Sequence, residues 1–198
     1  NLLTMLRYAA QQDHHSQFCM DVLQGLSKSN KTLPCKYFYN ARGSDLFEKI
    51  CHLDEYYLTK TEMQLLKNQA KNISNLLPSV CNIIEPGSGA AEKISILLSA
   101  MPKTKKFIAL EISQAALSDS VSRLQQHFPK LNIDAQQGDF TDKNSLDYIK
   151  KQHQGDENIV FFPGSTIGNF EPDQAREILT NLSHVAGSSG KILIGVDL

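Results

Sequence analysis

The sequence predicts an α/β fold, in which helices flank a parallel β-sheet, for the part of the chain that follows residue 79. Short apolar runs alternate there with segments of helical periodicity, and this β-α-β-α order is typical of a parallel sheet. The residues before that point show helical or irregular patterns and no alternating strand. With 41% hydrophobic and 21% charged residues among 198, the composition excludes collagen-like, coiled-coil and largely disordered chains.

Helices dominate the first part of the chain. The apolar periodicity predicts a helix over residues 13–26, and a proline and a glycine mark residues 31–43 as a loop. Ser44 is expected to cap a short helix. Thr59 and Glu62 have the spacing of a capping box, which predicts the start of a longer helix.

Five strands are predicted in the second part of the chain, each followed by a polar or glycine-containing turn. They cover residues 80–85, 106–111, 131–136, 158–162 and 191–196. Between successive strands, apolar residues recur at helical spacing, so a helix is expected to connect each strand to the next. Ser113 and Pro172 are typical residues for the beginnings of two of these helices.

A glycine-rich turn follows the first predicted strand, in the sequence Glu85-Pro-Gly-Ser-Gly-Ala-Ala. Glycines between a strand and a helix allow a ligand to approach the backbone, and a helix N-terminus favours negative groups. Glu85, two residues before Gly87, suits a ligand with a cationic centre, such as S-adenosylmethionine, better than it suits the pyrophosphate of a dinucleotide. The alternative is a glycine turn that binds nothing.

Acidic residues also follow the second and third predicted strands. Glu111 can accept hydrogen bonds from both ribose hydroxyls of a nucleoside, which fits NAD and S-adenosylmethionine equally. Asp139 can accept from an adenine amine, and the backbone N–H of Phe140 can donate to a ring nitrogen; the alternative is a helix cap. Because ligands of open parallel sheets bind at the carboxyl ends of the strands, the three positions together predict an adenosine-type cofactor.

The loop over residues 163–170 follows the fourth strand at the same edge of the sheet. Asn169 offers both a donor and an acceptor there, and the carbonyl of Gly164 can accept from an ammonium group. Lys93 begins the first crossover helix, where a cation does not complement the helix dipole, so it is expected to meet a carboxylate. The alternatives are a tight turn with Asn169 in a left-handed conformation and a solvated lysine.

Aromatic side chains in the first part of the chain can line a small-molecule pocket above this edge. Tyr39, Phe47, Tyr56 and Tyr57 are the candidates, although their composition alone favours core packing. The histidines and cysteines are scattered and none has the spacing of a metal site, so no metal is predicted.

The charge and the apolar runs predict the setting in which the chain acts. Lys plus Arg is 20 and Asp plus Glu is 21, so there is no basic field for nucleic acid or anionic lipid. No apolar run is long enough for a membrane span, and no signal peptide is recognisable. We therefore expect a cytoplasmic monomer with free thiols and a small-molecule substrate, without a nucleic-acid or membrane partner.

Taken together, these segments resemble one known family, the histidine-specific N-alpha methyltransferases of ergothioneine biosynthesis. The resemblance covers essentially the whole chain. It is carried by Tyr37-Phe-Tyr-Asn-Ala-Arg-Gly-Ser-Asp-Leu-Phe47, Glu55-Tyr-Tyr-Leu-Thr-Lys-Thr-Glu62, Gly87-Ser-Gly with Glu92-Lys93, Gly138-Asp-Phe140 and Gly164-Ser-Thr-Ile-Gly-Asn169.

The resemblance implies a Rossmann-like class I methyltransferase that uses S-adenosylmethionine to methylate the histidine amino group three times, giving hercynine. It implies cofactor contacts for Gly87, Lys93, Glu111, Asp139 and Phe140, histidine contacts for Tyr56 and Asn169, and a place beside the amine for Tyr39, Phe47 and Gly164. Family members more often have Asp at the position of Glu111, and both residues supply a carboxylate. Tyr39 or a water molecule is expected to relay the proton that leaves the amine.

The resemblance also implies a division of the chain. Residues 1–59 correspond to the N-terminal part of a mostly helical substrate-binding domain, and residues 60–198 to the cofactor-binding domain. Family members continue further, and we expect the C-terminal portion of the enzyme to be missing here. The alternatives are a methyltransferase of another amine, such as a prenylated tryptophan, a cofactor-binding fragment without activity, and, as the weakest, an NAD oxidoreductase.

Overall fold

The computed structural model describes residues 14–197. This part of the chain divides into two compact units, with the division between Phe38 and Tyr39. The boundary between residues 59 and 60, which the resemblance implies for the substrate-binding and cofactor-binding domains, stays a prediction.

The first unit contains one α-helix and one turn of 3-10 helix. Helix α1 covers His14–Ser27 and confirms the helix predicted over residues 13–26, of which residue 13 lies outside the described residues. The 3-10 helix Cys35–Phe38 falls within the segment predicted as a loop. Tyr37 joins the two, because its hydroxyl donates to Asp21 at 2.5 Å and its ring meets the edge of Phe18 at 4.8 Å between centroids.

Two helices begin the second unit, and both begin differently from the prediction. Helix α2 covers Ala41–Cys51 and is capped by the side chain of Asn40, which accepts from the N–H of Gly43, so the predicted cap at Ser44 is wrong. Helix α3 covers Tyr57–Asn75 and has no side-chain cap, so the predicted capping box is wrong as well.

The five strands form one parallel sheet, as predicted, with the order β3-β2-β1-β4-β5. The strands are β1 Asn82–Pro86, β2 Lys106–Glu111, β3 Ile133–Gln137, β4 Asn158–Phe162 and β5 Lys191–Ile194. Helices connect them, namely α4 Glu92–Ala100, α5 Gln114–His127, α6 Lys143–Gln152 and α7 Pro172–Ala186. Ser113 caps α5 and Pro172 begins α7, as the sequence predicts.

Alternate residues of the strands pack into two hydrophobic clusters, one on each face of the sheet. Ile83 and Phe161 belong to the cluster covered by α3, α4 and α5, whereas Ile84 and Phe162 belong to the cluster covered by α6 and α7. Successive side chains of a strand point to opposite faces, so burial of both sets requires helices on both faces. Each large side chain buried in this way contributes about 1.5–3 kcal/mol.

A parallel sheet brings the carboxyl ends of its strands to one edge. Pro86, Glu111, Gln137 and Phe162 end the four adjacent strands β1 to β4, and the chain leaves each of them into a loop at that edge. The predicted cofactor residues all lie in or next to these loops. No helix in the part of the chain that the structure describes is long and apolar enough to cross a membrane.

Candidate active site

The glycine turn after β1 has a backbone that few other residues would adopt. Gly87 has a φ of +74°, and its N–H donates to the carbonyl of Leu110 at 2.7 Å, which joins the turn to the end of β2. A Cβ atom on Gly87 would lie 3.5 Å from the ring of Phe140. A side chain at this position would therefore touch the Phe140 ring, and the positive φ favours glycine.

Glu111 ends β2 beside this turn and is held by two backbone donors. Its Oε1 accepts from the N–H of Ser113 at 3.0 Å, and its Oε2 accepts from the N–H of Gly89 at 3.3 Å. An ionised carboxylate has about four lone-pair positions, so acceptor capacity remains for two further donors. The fixed orientation and the free acceptors fit a vicinal diol such as that of a ribose.

Asp139 and Phe140 follow β3 on the far side of Glu111. Oδ1 of Asp139 accepts from the N–H of Thr141 at 2.8 Å and from its hydroxyl at 2.6 Å, so the side chain forms a local turn. The ring of Phe140 packs edge to face on Phe162 at 5.4 Å and on Phe170 at 6.1 Å. Both residues therefore lie at the edge of the sheet where β3 ends, and the ring of Phe140 lies beside Gly87.

Glu85 is a buried acid under the glycine turn. Its side chain is 3% exposed, and its Oε2 has no hydrogen-bond partner among residues 14–197. Burial raises the pKa of Glu85 well above its ordinary value of 4.5, Lys93 opposes this rise, and Glu111 and Glu62 add to it. A buried acceptor without a partner is costly, so a donor or a cation placed here by a ligand would stabilise the carboxylate.

Lys93 meets a carboxylate, as expected, and that carboxylate belongs to Glu62. Oε2 of Glu62 lies 2.6 Å from Nζ of Lys93, and both oxygens of Glu62 lie 2.9 Å from the N–H of Gly164. The sequence predicts only a capping role for Glu62. Glu62 precedes Lys93 by 31 residues, so no local sequence pattern indicates this contact.

The loop after β4 presents Gly164 and Asn169 at the same edge. Gly164 and Ser165 have φ values of +84° and +53°, and a 3-10 helix covers Thr166–Asn169. Asn169 is therefore not in the left-handed conformation that the alternative interpretation required, and it is exposed. The sequence predicts a ligand contact for the carbonyl of Gly164, and the structure adds a hydrogen bond from the N–H of Gly164 to the carboxylate of Glu62.

Three of the four predicted aromatic residues form one contiguous group, whereas Tyr57 is exposed and its hydroxyl donates to Asp197 at 2.6 Å. Phe47 meets Tyr39 at 5.9 Å and Tyr56 at 6.0 Å between ring centroids, both edge to face. Burial raises the pKa of Tyr56, and the charges of Cys51 and Glu62 raise it further.

The arrangement fits S-adenosylmethionine on the chemistry of its donors and acceptors. The orphaned oxygen of Glu85 matches a cationic group, and the remaining acceptor positions of Glu111 match the hydroxyls of a ribose. Among residues 14–197, no group of three or more His, Cys, Asp or Glu side chains is placed to hold a metal ion.

Comparison with known proteins shows the fold and the family of the chain. The structure superposes on an O-methyltransferase family protein from Burkholderia thailandensis with a TM-score of 0.55 and 13% sequence identity, over 80% of this chain and 42% of the other. At that identity the likeness shows the fold alone, a Rossmann-like α/β fold. Residues 18–198 match the model of the family described as histidine-specific methyltransferase, SAM-dependent. The chain belongs to that family.

Relatives in and around the histidine-specific methyltransferase family differ in their substrates. The histidine N-alpha-methyltransferase of Mycolicibacterium smegmatis is 35% identical over 99% of this chain and 60% of its own length. The 4-dimethylallyltryptophan N-methyltransferase of Epichloe festucae var. lolii is 30% identical over 89% of this chain and 54% of its own length. The chain thus spans somewhat more than half of the length of these relatives.

Proposed function

We propose that this chain carries the cofactor site and part of the substrate site of a methyltransferase that uses S-adenosylmethionine to methylate the α-amino group of L-histidine, up to the trimethylated betaine hercynine. The single observation that carries the proposal is the convergence of Glu85, Glu111 and Asp139 at the carboxyl ends of three adjacent strands, in a chain of the histidine-specific family. Under this proposal the partner is a small amino acid, and the protein acts as a cytoplasmic monomer.

The adenosine part of the cofactor is assigned to β2 and β3. The remaining acceptors of Glu111 bind the two ribose hydroxyls, since its other acceptors are used by Gly89 and Ser113. Asp139 accepts from the exocyclic amine of adenine, and the backbone N–H of Phe140 donates to a ring nitrogen. Gly87 lets the cofactor lie against the backbone of the turn.

The amino-acid part of the cofactor is assigned to Glu85 and Lys93. Lys93 has three N–H donors, and the one used by Glu62 leaves others for a carboxylate. The orphaned oxygen of Glu85 faces a cationic group, which compensates the cost of keeping a charge at a buried position.

The amine substrate is assigned to the space between the aromatic group and the loop after β4. Asn169 and Tyr56 bind the histidine, and Tyr39, Phe47 and the carbonyl of Gly164 surround its amino group. Because burial raises the pKa of Tyr56, its phenol keeps its proton near neutral pH and serves as a neutral hydrogen-bonding group.

When bound, S-adenosylmethionine would supply an activated methyl carbon: the amine nitrogen would bond to it as the carbon–sulfur bond breaks, and the neutral sulfide S-adenosylhomocysteine would leave. The chain then has two tasks, to hold the amine in line and to remove its proton. Alignment contributes on the order of 7–11 kcal/mol to such a reaction. In the first two transfers the carbonyl of Gly164 orients an N–H of the amine, and the hydroxyl of Tyr39 passes the departing proton to water.

The proposed function is tested by mass spectrometry of products. The chain is incubated with S-adenosylmethionine and, in separate reactions, L-histidine, a panel of other amino acids and 4-dimethylallyltryptophan. Histidine carrying one, two and then three added methyl groups is the expected result. A panel in which another amine is methylated and histidine is not would contradict it.

A second candidate is methylation of a tryptophan derivative, which the similarity to the Epichloe protein favours. That candidate predicts methylated dimethylallyltryptophan and unchanged histidine in the same panel. A third result, binding of S-adenosylhomocysteine without any methylated product, would identify the chain as a cofactor-binding fragment. An NAD oxidoreductase would instead change the fluorescence of added NADH.

A further inference from the structure

Glu62 holds two groups at once that the proposed function assigns to different ligands. Lys93, its partner at 2.6 Å, belongs to the cofactor side, and Gly164, whose N–H lies 2.9 Å from both carboxylate oxygens, belongs to the substrate side. Glu62 lies on α3, outside both the glycine turn and the loop after β4. Its side chain is only 13% exposed and that of Lys93 only 20%, so water screens the ion pair weakly.

The position of the Glu62 carboxylate depends on a glycine of a fourth segment. A Cβ atom on Gly195, just after β5, would collide with Oε1 of Glu62 and would lie 3.3 Å from the N–H of Gly164. Gly195 is itself tied to the sheet edge, because its N–H donates to the carbonyl of Phe162 at 3.0 Å and its carbonyl accepts from Ser165 at 3.2 Å. The site for the carboxylate is thus enclosed by three separate loops or helices.

The carboxylate of Glu62 stabilises both Lys93 and the loop that contains Gly164. Lys93 lies in the first turn of α4, where the helix dipole disfavours a cation, and a carboxylate offsets that disadvantage. Gly164 and Ser165 both have positive φ values, and a loop in that conformation persists only when its surroundings hold it. A charged acceptor for the Gly164 N–H makes a stronger bond than a neutral one would.

We propose that Glu62 is a positioning residue that couples the cofactor site to the amine site. It fixes the ammonium of Lys93 where a cofactor carboxylate is bound, and it fixes the loop whose Gly164 carbonyl orients the amine. Cofactor binding at Lys93 therefore changes the bond between Glu62 and Gly164. This inference rests on the proposed function, and Glu62 itself touches neither ligand.

Three variants separate the two contacts of Glu62. Glu62→Gln keeps an acceptor for the Gly164 N–H and removes the ion pair, whereas Lys93→Met removes the ion pair and leaves Glu62 on Gly164. Gly195→Ala displaces the carboxylate without changing either partner. The matched control is Asp54→Asn, which breaks an exposed ion pair of similar length, 2.7 Å, with Lys60 of the same helix.

The experiment combines calorimetry with S-adenosylhomocysteine and the amide NMR signal of Gly164. The unmodified chain is expected to bind and to show a shift of the Gly164 signal on binding. Glu62→Gln and Gly195→Ala should weaken binding about tenfold and lose most of that shift, and the losses in Glu62→Gln and Lys93→Met should not add in the double variant. Asp54→Asn should behave as the unmodified chain.

The outcomes distinguish the positioning role from the function on which it rests. If the unmodified chain fails to bind S-adenosylhomocysteine, the proposed function falls and the positioning role falls with it. If the unmodified chain binds, and Glu62→Gln binds equally well or more tightly with an intact Gly164 shift, only the positioning role is overturned. Tighter binding would mean that Glu62 merely competes with the ligand for Lys93.

Discussion

A hydrogen bond between Glu111 and Gly89 joins the end of β2 to the turn after β1, since Oε2 of Glu111 accepts from the N–H of Gly89 at 3.3 Å. This bond aims the carboxylate across the turn after β1. We predict that Glu111→Gln weakens S-adenosylhomocysteine binding about 10–100-fold, because an amide has one acceptor oxygen for the backbone donors and the ribose together. Calorimetry measures the effect.

The control for that substitution is Glu111→Asp, which keeps a carboxylate at the end of β2. It should bind within a few-fold of the unmodified chain. Equal losses in Glu111→Asp and Glu111→Gln would mean that side-chain length, and not acceptor capacity, decides binding.

Gly87 is predicted to be essential for the cofactor and dispensable for folding. Gly87→Ala holds an alanine at a φ of +74°, which costs about 1–2 kcal/mol. It also places a methyl group 3.5 Å from the ring of Phe140, where the adenosine is proposed to bind. The matched control is Gly155→Ala, which has a φ of +88° and no neighbouring atom within 4 Å. Both should lower the free energy of unfolding similarly, and only Gly87→Ala should weaken S-adenosylhomocysteine binding.

Glu85 is predicted to make stability depend on pH. Because burial raises its pKa, the folded protein holds the proton more tightly than the unfolded chain, so the stability from this group is complete below about pH 4.5 and is lost as the pH rises through the raised pKa. Glu85→Gln cannot lose that proton. Its melting temperature should therefore exceed that of the unmodified chain by an amount that grows from pH 5 to pH 9.

Thermal unfolding of the ligand-free protein at several pH values tests this prediction. Glu157→Gln, an exposed acid near the start of β4, is the control and should follow the unmodified chain. A constant difference between Glu85→Gln and the unmodified chain at all pH values would contradict a raised pKa.

Cys81 is predicted to resist alkylation while Cys19 reacts. Burial raises the pKa of Cys81 to about 11, and its side chain is 2% exposed, so the reactive thiolate is scarce and shielded at pH 8. Cys19 is exposed on α1. Iodoacetamide followed by peptide mass spectrometry should label Cys19 first and Cys81 only in denaturant. Rapid labelling of Cys81 in the folded protein would contradict its burial.

The strands predicted in the second part of the chain agree closely with the structure, and the reason is physical. A strand of a parallel sheet is buried on both faces, so it reads as a short apolar run, and the predicted limits of β2 and β4 agree with the structure at every residue. Turns between such strands and their helices are short. The residues at the strand ends were therefore predictable, and with them the positions of Glu85, Glu111 and Asp139.

The helix beginnings in the first part were not predictable in the same way. Thr59 and Glu62 have the spacing of a capping box, yet Thr59 lies inside α3, where its hydroxyl contacts Sγ of Cys51 at 3.5 Å. Glu62 makes its contacts with residues 31 and 102 positions away in sequence. Local patterns carry no information about such distant partners, so the role of Glu62 required the structure.

An adenosine cofactor is proposed to bind at the carboxyl ends of β1 to β3. Removal of the adenine contact proposed for Asp139 is the sharpest test of that site. The measurement is the affinity of Asp139→Ala for S-adenosylhomocysteine, compared with Asp142→Ala. Asp142 is a matched control because its side chain likewise caps nearby backbone N–H groups, those of Asn144 and Ser145.

Asp142→Ala should lower the free energy of unfolding by about 0.5–2 kcal/mol through the lost N-cap of α6. Asp139→Ala should lower it by about 0.5–1.5 kcal/mol through the lost hydrogen bonds to Thr141. Only Asp139→Ala should also weaken the binding of S-adenosylhomocysteine, by about tenfold or more. An unchanged affinity in Asp139→Ala, or an equal loss in Asp142→Ala, would contradict this prediction.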